Sequence, residues 1–325
     1  MTYICPLKSP LSLLDSFARL GLSAPILQAI GELGFDQPTT IQEQAIPLLL
    51  GNERDFIGLA QTGTGKTAAF GLPLLELIDP SEPHIQALIL APTRELGQQI
   101  AGQVELFAKH IPGLKAVAVY GGASIVPQMQ SLRRGCQVVI ATPGRLLDLA
   151  NRKALMLDQI QYLVLDEADE MLNMGFQEDL DAILALTPET KRTWLFSATM
   201  PAEIRRMVKQ YMDRPHEVRV DPGQAVNTDI SHEFVLVRHT DKSEALMRFL
   251  DVDPDVFGVV FCRTKRDAQD VAEHLMKLGY RADALHGDLS QPQRDRVMQR
   301  FKRRDLQVLI ATDVAARGID VNDVT

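Results

Sequence analysis

The sequence has few cysteines and no long apolar run, and each shortage argues against a class of protein. Its three cysteines, Cys5, Cys136 and Cys262, lie far apart and form no C-x-x-C pair. This spacing argues against a zinc site or a disulfide framework and fits a reducing cytoplasm, where we expect the protein. No stretch reaches the roughly 18–20 uncharged apolar residues needed to cross a bilayer, so we expect no membrane partner. The N-terminal residues show no signal-peptide pattern.

An excess of positive charge is also missing. The formal net charge is −8, whereas proteins that bind nucleic acid through a broad surface are usually basic. A polyanion would therefore have to bind in a local groove. The composition is nevertheless that of a globular protein, because 46% of the residues are hydrophobic and 23% are charged. A chain of 325 residues suits two domains better than one.

Short apolar segments alternate with helical patterns along most of the chain, which predicts an α/β fold with doubly wound parallel sheets. The predicted strands are 87–91, 115–120, 138–142, 162–166 and 193–197 in the first half, and 232–237, 258–262, 282–286 and 308–312 in the second. The polar stretch 221–229 predicts a linker. We therefore expect an N-terminal tail at 1–16, a first domain at 17–220 and a second, incomplete domain at 230–325.

A glycine-rich loop follows an apolar segment and precedes a predicted helix. Gly63 and Gly65 allow successive backbone N–H groups to converge on phosphate oxygens. Lys66 can then reach the terminal phosphates of a nucleotide, and the Thr67 hydroxyl can ligate Mg²⁺. The strict motif begins with glycine, whereas this sequence has Ala60. The predicted nucleotide-binding loop consists of Gln61, Thr62, Gly63, Thr64, Gly65, Lys66 and Thr67.

Acidic residues follow the apolar run at 162–165. Asp166 and Glu167 would lie at the carboxyl edge of the sheet, where open α/β folds bind ligands. We expect Asp166 to hold Mg²⁺ through water, because Mg²⁺ keeps much of its hydration shell. Glu167 would orient and deprotonate the attacking water in phosphoryl transfer. The predicted catalytic residues are therefore Lys66, Asp166 and Glu167, and the predicted metal ligands are Thr67 and Asp166.

These segments resemble the DEAD-box family of ATP-dependent RNA helicases, down to the tetrapeptide Asp166-Glu167-Ala168-Asp169. The resemblance covers nearly the whole chain and is strongest to the bacterial cold-shock helicases. It implies two tandem RecA-like domains that use ATP and Mg²⁺. It also implies RNA-stimulated ATP hydrolysis that drives local unwinding of an RNA duplex or remodelling of an RNA–protein complex. We expect a monomer that recognises the backbone of single-stranded RNA or a short duplex.

The resemblance assigns further residues to the nucleotide. Gln42 is expected to bond the adenine edge with both amide groups, a pairing that excludes guanine. Phe17 is expected to stack on the adenine ring, and Phe35 belongs to the same motif. Gly318 and Asp320 lie in a segment expected to meet both ATP and RNA.

The resemblance also assigns residues to RNA binding and to coupling. Ser197 and Thr199 are expected to hydrogen-bond the loop that contains Asp169 and so to couple hydrolysis to strand separation, together with Arg317. The expected RNA contacts are Pro92, Thr93, Arg94, Gly121, Gly122, Thr142, Pro143, Gly144 and Arg145 in the first domain, and Arg263, Thr264, Gly287, Arg294 and Thr312 in the second.

Three alternative functions remain open at this point. A nucleotide-switched RNA clamp and a DNA-directed motor would need the same motifs, whereas a small-molecule kinase would explain nothing after Phe176. The family also carries an H-R-x-G-R-x-G-R segment, which would follow the last residue of this sequence. Because an arginine finger is worth on the order of 10³–10⁵ in rate, we expect this chain to bind ATP and Mg²⁺ but to hydrolyse ATP slowly.

Overall fold

The computed structural model describes residues 16–51, 54–220, 231, 233–253, 255–312, 321 and 324. The chain divides into two compact units, and the boundary between them falls within the predicted linker. The linker itself, at 221–229, lies outside the described residues, as do residues 1–15 of the predicted tail. The predicted domain limits at 220 and 230 therefore stay predictions. None of the described helices combines the length and the hydrophobicity of a bilayer-spanning segment.

The first unit is built on a seven-stranded parallel sheet in the order β3-β4-β2-β5-β6-β1-β7. Its strands are β1 (Phe56–Leu59), β2 (Ala87–Leu90), β3 (Ala116–Val119), β4 (Val138–Ala141), β5 (Tyr162–Leu165), β6 (Arg192–Ser197) and β7 (His216–Arg219). Its helices are α1 (Ala24–Glu32), α2 (Thr40–Gly51), α3 (Lys66–Leu77), α4 (Arg94–Phe107), α5 (Ile125–Arg133), α6 (Pro143–Asn151), α7 (Ala168–Asn173), α8 (Gln177–Leu186) and α9 (Ala202–Tyr211).

Helices cover both faces of this sheet, as expected for a doubly wound fold. Successive residues of a strand point to opposite faces, so Ile89 packs into one core while Leu88 and Leu90 pack into the other. Helices α1–α4 contribute to the first core, which contains Phe70. Helices α5–α9 contribute to the second core, which contains Met171. Both faces are therefore apolar, which explains the continuous apolar strands of the sequence.

The second unit contains a three-stranded parallel sheet in the order β8-β10-β9 among the residues described. Phe257 and Phe301 stack beneath it with ring centroids 4.5 Å apart. The elements are a 3₁₀ turn (His239–Asp241), α10 (Lys242–Val252), β8 (Gly258–Cys262), α11 (Lys265–Lys277), β9 (Ala282–Leu285), α12 (Gln291–Lys302) and β10 (Val308–Thr312). The predicted class of two doubly wound parallel-sheet domains is confirmed.

The strand predicted at 232–237 is wrong for the residues described. Residues 233–237 form no strand, and Phe234 and Leu236 are 87% and 91% exposed. An apolar, β-branched segment has a preference for extended backbone, but a strand also needs a neighbour for its N–H and C=O groups. No described strand pairs with this segment.

Several other predicted strands end one residue early, at positions that belong to the site. Ala91, Thr142 and Asp166 follow β2, β4 and β5, yet each still donates its backbone N–H to the neighbouring strand. The hydrogen bonding between strands therefore continues through these residues, although the strands formally end one residue earlier.

Candidate functional site

The carboxyl ends of β5, β6 and β1 are neighbours in the sheet, and this order brings three predicted motifs together. The glycine-rich loop follows β1, and the acidic residues follow β5. Ser197 ends β6 and pairs in register with Leu59 of β1. The Ala60 N–H then donates to the Ser197 carbonyl at 3.0 Å. The sheet topology therefore gathers at one edge residues that are more than one hundred positions apart in sequence.

The phosphate loop has the backbone that its glycines were predicted to allow. Gly63 and Gly65 have φ angles of 78° and 87°, in the left-handed region that glycine adopts without steric cost. The Thr64 hydroxyl donates to the Gln61 carbonyl at 2.7 Å and closes the loop. Ala60 is buried in the core, so this first position packs inward and accepts alanine in place of the glycine of the strict motif.

Lys66 is the first residue of α3, and its side chain is only 6% exposed. Its ammonium nitrogen is buried and makes no hydrogen bond within the described part of the chain. A buried ammonium without a partner is costly. The arrangement therefore suits an anionic ligand at this point, which is where the loop would hold phosphate.

Asp166 is a buried carboxyl group whose surroundings shift its pKa in opposite directions. Burial raises the pKa of Asp166 to about 6, while the positive charge of Lys66 lowers it and the neighbouring acids Glu167 and Asp169 raise it. The Glu167 N–H donates to Asp166 Oδ1 at 3.0 Å. A cation bound here would favour the ionised form of Asp166.

Glu167 has a backbone conformation that is uncommon for a residue with a side chain. Its φ and ψ angles are 50° and 51°, in the left-handed region that side chains other than glycine rarely adopt. It directly precedes α7, where the chain turns from β5 into the helix. Strained backbone of this kind concentrates at functional sites. The catalytic role of Glu167 stays a prediction.

Asp169 and Thr199 are joined by two hydrogen bonds. The backbone N–H and the hydroxyl of Thr199 donate to the same carboxylate oxygen, Asp169 Oδ2, at 3.0 and 2.7 Å. The expected contact between Thr199 and the acidic loop is present, and its coupling role stays a prediction. The expected contact of Ser197 is wrong, because its buried hydroxyl donates to the Thr199 carbonyl at 2.7 Å instead. Ser197 thus stabilises the turn that presents Thr199.

Gln42 connects the predicted adenine motif to the phosphate loop, which sequence reasoning missed. The side chain is 3% exposed. Its Nε2 donates to the Gly65 carbonyl at 3.1 Å, and its Oε1 accepts the Thr39 N–H at 3.0 Å. Each end of the amide therefore has one partner and keeps capacity for a second, because the NH₂ group has two N–H donors and the oxygen has two lone pairs. The adenine role of Gln42 stays a prediction.

Phe17 is fully buried in the core of the first unit. Its ring lies 6.3 Å from Phe35, whose ring lies 6.1 Å from Phe107. Stacking of Phe17 on adenine would therefore require this aromatic cluster to open. The nucleotide-binding roles of Phe17 and Phe35 stay predictions.

The RNA-binding segments predicted in the first unit follow β2, β3 and β4, which are adjacent in the sheet. The Thr93 hydroxyl caps α4 by accepting the Leu96 N–H at 3.2 Å. The Thr142 hydroxyl accepts the Gly121 N–H at 3.4 Å. Arg145 donates from Nη2 to the Ala123 carbonyl at 3.0 Å. The contacts of Thr142 and Arg145 join the loops after β3 and β4, and all three loops lie at the same edge of the sheet. Pro92 and Pro143 are buried, whereas Gly121, Gly122 and Gly144 are exposed.

Arg94 contacts an aromatic residue that none of the predicted motifs contains. Its guanidinium carbon lies 4.5 Å from the centroid of the Tyr120 ring, close enough for a cation–π interaction. Tyr120 directly precedes Gly121 and Gly122. A tyrosine between an apolar strand and a glycine pair was the only sequence signal for this contact.

In the second unit the predicted RNA contacts lie after β8 and β9, at the end of β10 and on α12. The Thr264 hydroxyl caps α11 by accepting the Asp267 N–H at 3.1 Å. Lys265 and Asp288 form an ion pair of 2.7 Å between the loops after β8 and β9. Arg263 and Gly287 are exposed, Arg294 and Thr312 are half-buried. Three further predicted residues, Arg317, Gly318 and Asp320, lie outside the described residues.

A glycine-rich phosphate loop beside an acidic strand end defines the class as a phosphate-loop, nucleotide-binding α/β protein. The sequence model of the DEAD/DEAH box helicase family matches residues 39–207, and that of the helicase conserved C-terminal domain matches residues 241–325. The chain therefore belongs to the DEAD/DEAH box helicase family, and the family resemblance inferred from the motifs is confirmed.

Two curated bacterial relatives show the same similarity along nearly the whole chain. ATP-dependent RNA helicase DeaD of Escherichia coli (strain K12) is 49% identical over 310 residues, which cover 95% of this chain and 49% of DeaD. RNA helicase CrhR of Synechocystis sp. is 48% identical over 315 residues, which cover 97% of this chain and 63% of CrhR. The chain thus spans about half the length of DeaD.

Solved structures of DEAD-box proteins share the fold. The DEAD box protein of the hyperthermophile Methanococcus jannaschii is 45% identical with a TM-score of 0.61, covering 95% of this chain and 83% of that one. S. cerevisiae Dbp5 bound to RNA and ADP BeF3 is 32% identical with a TM-score of 0.87, covering 95% of this chain and 79% of that one.

Proposed function

We propose that the chain is the motor of an ATP-dependent RNA helicase, in which RNA-stimulated ATP hydrolysis drives local unwinding of an RNA duplex or remodelling of an RNA–protein complex. The proposal includes a monomer that works in the cytoplasm. The observation that carries it is the buried, unbonded ammonium group of Lys66 at the phosphate loop, whose charge acts on the buried carboxyl of Asp166. The relatives named as ATP-dependent RNA helicases support the same reading.

The residues present fit ATP with Mg²⁺. Lys66 would bind the terminal phosphates, and Thr67 and Asp166 would hold the metal ion. The described residues contain no group of three or more His, Cys, Asp or Glu side chains that could hold a metal ion. That suits Mg²⁺, which binds through one or two protein ligands, water and phosphate oxygens. When bound, the metal ion neutralises charge on those phosphate oxygens.

The acidic loop would supply the proton transfer. Glu167, at the turn after β5, would orient the attacking water and accept its proton. Asp169 holds this turn against Thr199 through two hydrogen bonds. A change at either end of this contact would therefore be transmitted to the other. This supports the proposed coupling between hydrolysis and strand separation.

The loops after β2, β3 and β4 would bind the RNA backbone. Arg94 and Arg145 can donate to phosphate, and the exposed glycines offer backbone N–H groups. Helices α4 and α6 begin at this edge and direct their N-terminal dipoles towards it. A few directed donors of this kind would let a chain with a formal net charge of −8 bind RNA.

The test is steady-state ATP hydrolysis by the full-length protein with and without single-stranded RNA, beside Glu167→Gln, which keeps the size of the side chain. We expect strong stimulation by RNA that is lost in Glu167→Gln while ATP binding remains. Equal stimulation by DNA would contradict the RNA assignment. Unwinding of a short RNA duplex separates a motor from a nucleotide-switched clamp, because a clamp would bind RNA without releasing a strand.

A further inference from the structure

Tyr120 lies where the predicted RNA contacts of the first unit meet, yet no motif assigns it a role. It follows β3 and precedes the exposed Gly121. Its ring lies 4.5 Å from the guanidinium carbon of Arg94. Its hydroxyl accepts a hydrogen bond from Gln98 Nε2 at 2.9 Å. Arg94 and Gln98 are four residues apart on α4 and so share one face of that helix. The tyrosine therefore contacts two side chains of the same helix face.

The backbone of Tyr120 is held on both sides. Gln128 of α5, which is 8% exposed, accepts the Tyr120 N–H through Oε1 and donates from Nε2 to the Tyr120 carbonyl, both at 3.1 Å. The next residue, Gly121, donates its N–H to Thr142 at 3.4 Å. The backbone that carries the ring is therefore held in place by hydrogen bonds from α5 and from the loop after β4.

The geometry has a consequence for the arginine. The guanidinium carbon of Arg94 lies over the Tyr120 ring, and a guanidinium group can contact an aromatic ring while it also donates hydrogen bonds. Contact with Tyr120 therefore restricts the side chain of Arg94. A donor that is already oriented loses less conformational freedom when it binds a phosphate.

We propose that Tyr120 is a positioning residue that orients Arg94 for the RNA backbone. This inference rests on the proposed function, since it concerns how the same site binds RNA. Tyr120 acts through Arg94, so its contribution depends on the presence of the arginine. We expect the hydroxyl to contribute less than the ring, because the guanidinium carbon lies over the ring.

The experiment is a double-mutant cycle between Tyr120→Leu and Arg94→Ala in the full-length protein. The measured quantities are the Kd for single-stranded RNA with a non-hydrolysable ATP analogue, the RNA concentration that half-stimulates hydrolysis, and kcat at saturating RNA. We expect Tyr120→Leu to raise the first two about three- to tenfold and to leave kcat and the affinity for the analogue unchanged. Tyr120→Phe keeps the ring and should stay within about twofold of the unaltered protein.

In the Arg94→Ala background, Tyr120→Leu should cause no further loss, because residues that act as a unit are not additive. An equal loss in both backgrounds, or no loss in either, would overturn the inference. Tyr211→Leu is the matched control, since Tyr211 ends α9 and bonds Asp181, outside the predicted RNA site. If Tyr120→Leu fails to fold, as judged by its melting temperature, Tyr120→Met takes its place in the cycle.

The same cycle separates this inference from the proposed function. If the unaltered protein binds RNA and Arg94→Ala weakens that binding while Tyr120→Leu does not, only the role of Tyr120 is wrong. If the unaltered protein does not bind RNA at all, the proposed function fails and the role of Tyr120 fails with it.

Discussion

Gln42 donates a hydrogen bond from its side-chain amide to the backbone carbonyl of Gly65 at 3.1 Å. The two residues belong to different motifs, one predicted to bind adenine and the other phosphate. The bond joins the first turn of α2 to the residue that directly precedes α3. The conformation of the phosphate loop therefore depends directly on the residue that was predicted to bind the base.

Replacing Gln42 should weaken the binding of phosphate as well as that of adenine. Gln42→Ala would leave the Thr39 N–H without its partner, at a cost of about 1–3 kcal/mol for an unsatisfied group. It would also remove one of the two hydrogen bonds of the Gly65 carbonyl, which still accepts the Ala69 N–H. We expect the Kd to rise about tenfold for ATP and also for inorganic tripolyphosphate, measured by calorimetric titration. Unchanged tripolyphosphate binding would show that Gln42 acts through the base alone. Gln37→Ala, at an exposed position of the same motif, is the control.

Gly65 and Gly63 should differ in their tolerance of a methyl group. A Cβ on Gly65 would lie 2.4 Å from Gln42 Nε2, whereas a Cβ on Gly63 would meet nothing within 4 Å. Both have positive φ, so alanine at either position costs roughly 1–2 kcal/mol in backbone strain. We expect Gly65→Ala to reduce ATP affinity and the free energy of unfolding more than Gly63→Ala does. Equal losses of ATP affinity and of unfolding free energy in the two variants would mean that the close approach to Gln42 has no effect.

Lys66→Met should separate stability from ligand binding. The substitution removes a buried ammonium that has no hydrogen bond within the described residues and keeps an unbranched apolar side chain. We expect the nucleotide-free protein to melt at the same or a higher temperature, and the rise in melting temperature on adding ATP and Mg²⁺ to disappear. Lys115→Met, at an exposed position, should retain that rise. A marked loss of stability without nucleotide would show that Lys66 has a structural partner.

Glu32 should make the first unit sensitive to acid. Hydrogen bonds from Lys109 and then from His110 lower the pKa of Glu32 to about 2 from a model-compound value of 4.5. Because the folded-state pKa is lower than the unfolded one, the stabilisation is fully present above about pH 4.5 and is lost as the pH falls towards 2. We expect Glu32→Gln to melt below the unaltered protein at pH 7, with the gap closing between pH 4.5 and pH 2.

Glu105→Gln is the control for that measurement, since Glu105 lies on an exposed position of α4. It should melt with the unaltered protein across the same pH range. A gap between Glu32→Gln and the unaltered protein that is constant with pH would rule out the ionised carboxylate as its cause.

Local sequence signals were sufficient for the elements that we propose to bind the nucleotide. Apolar runs predicted eight strands that the structure contains, and β8 and β10 have the predicted limits. Gly63 and Gly65 signalled positive φ because a phosphate loop needs a conformation that other residues avoid. Asp166 was placed at a strand end by the apolar run before it. Each of these inferences depended on residues close together in the chain.

The sequence by itself determined the class of fold, the phosphate loop and the family, because strand periodicity, glycine spacing and motif order are properties of neighbouring residues. Only the tertiary structure decided which side chains meet. It paired Gln42 with Gly65 and Arg94 with Tyr120, and it bonded Thr199 rather than Ser197 to Asp169. It also left 233–237 without a partner among the described strands. The partner of a side chain is determined by packing and hydrogen bonding between elements that are distant in sequence. A local sequence pattern does not contain that information.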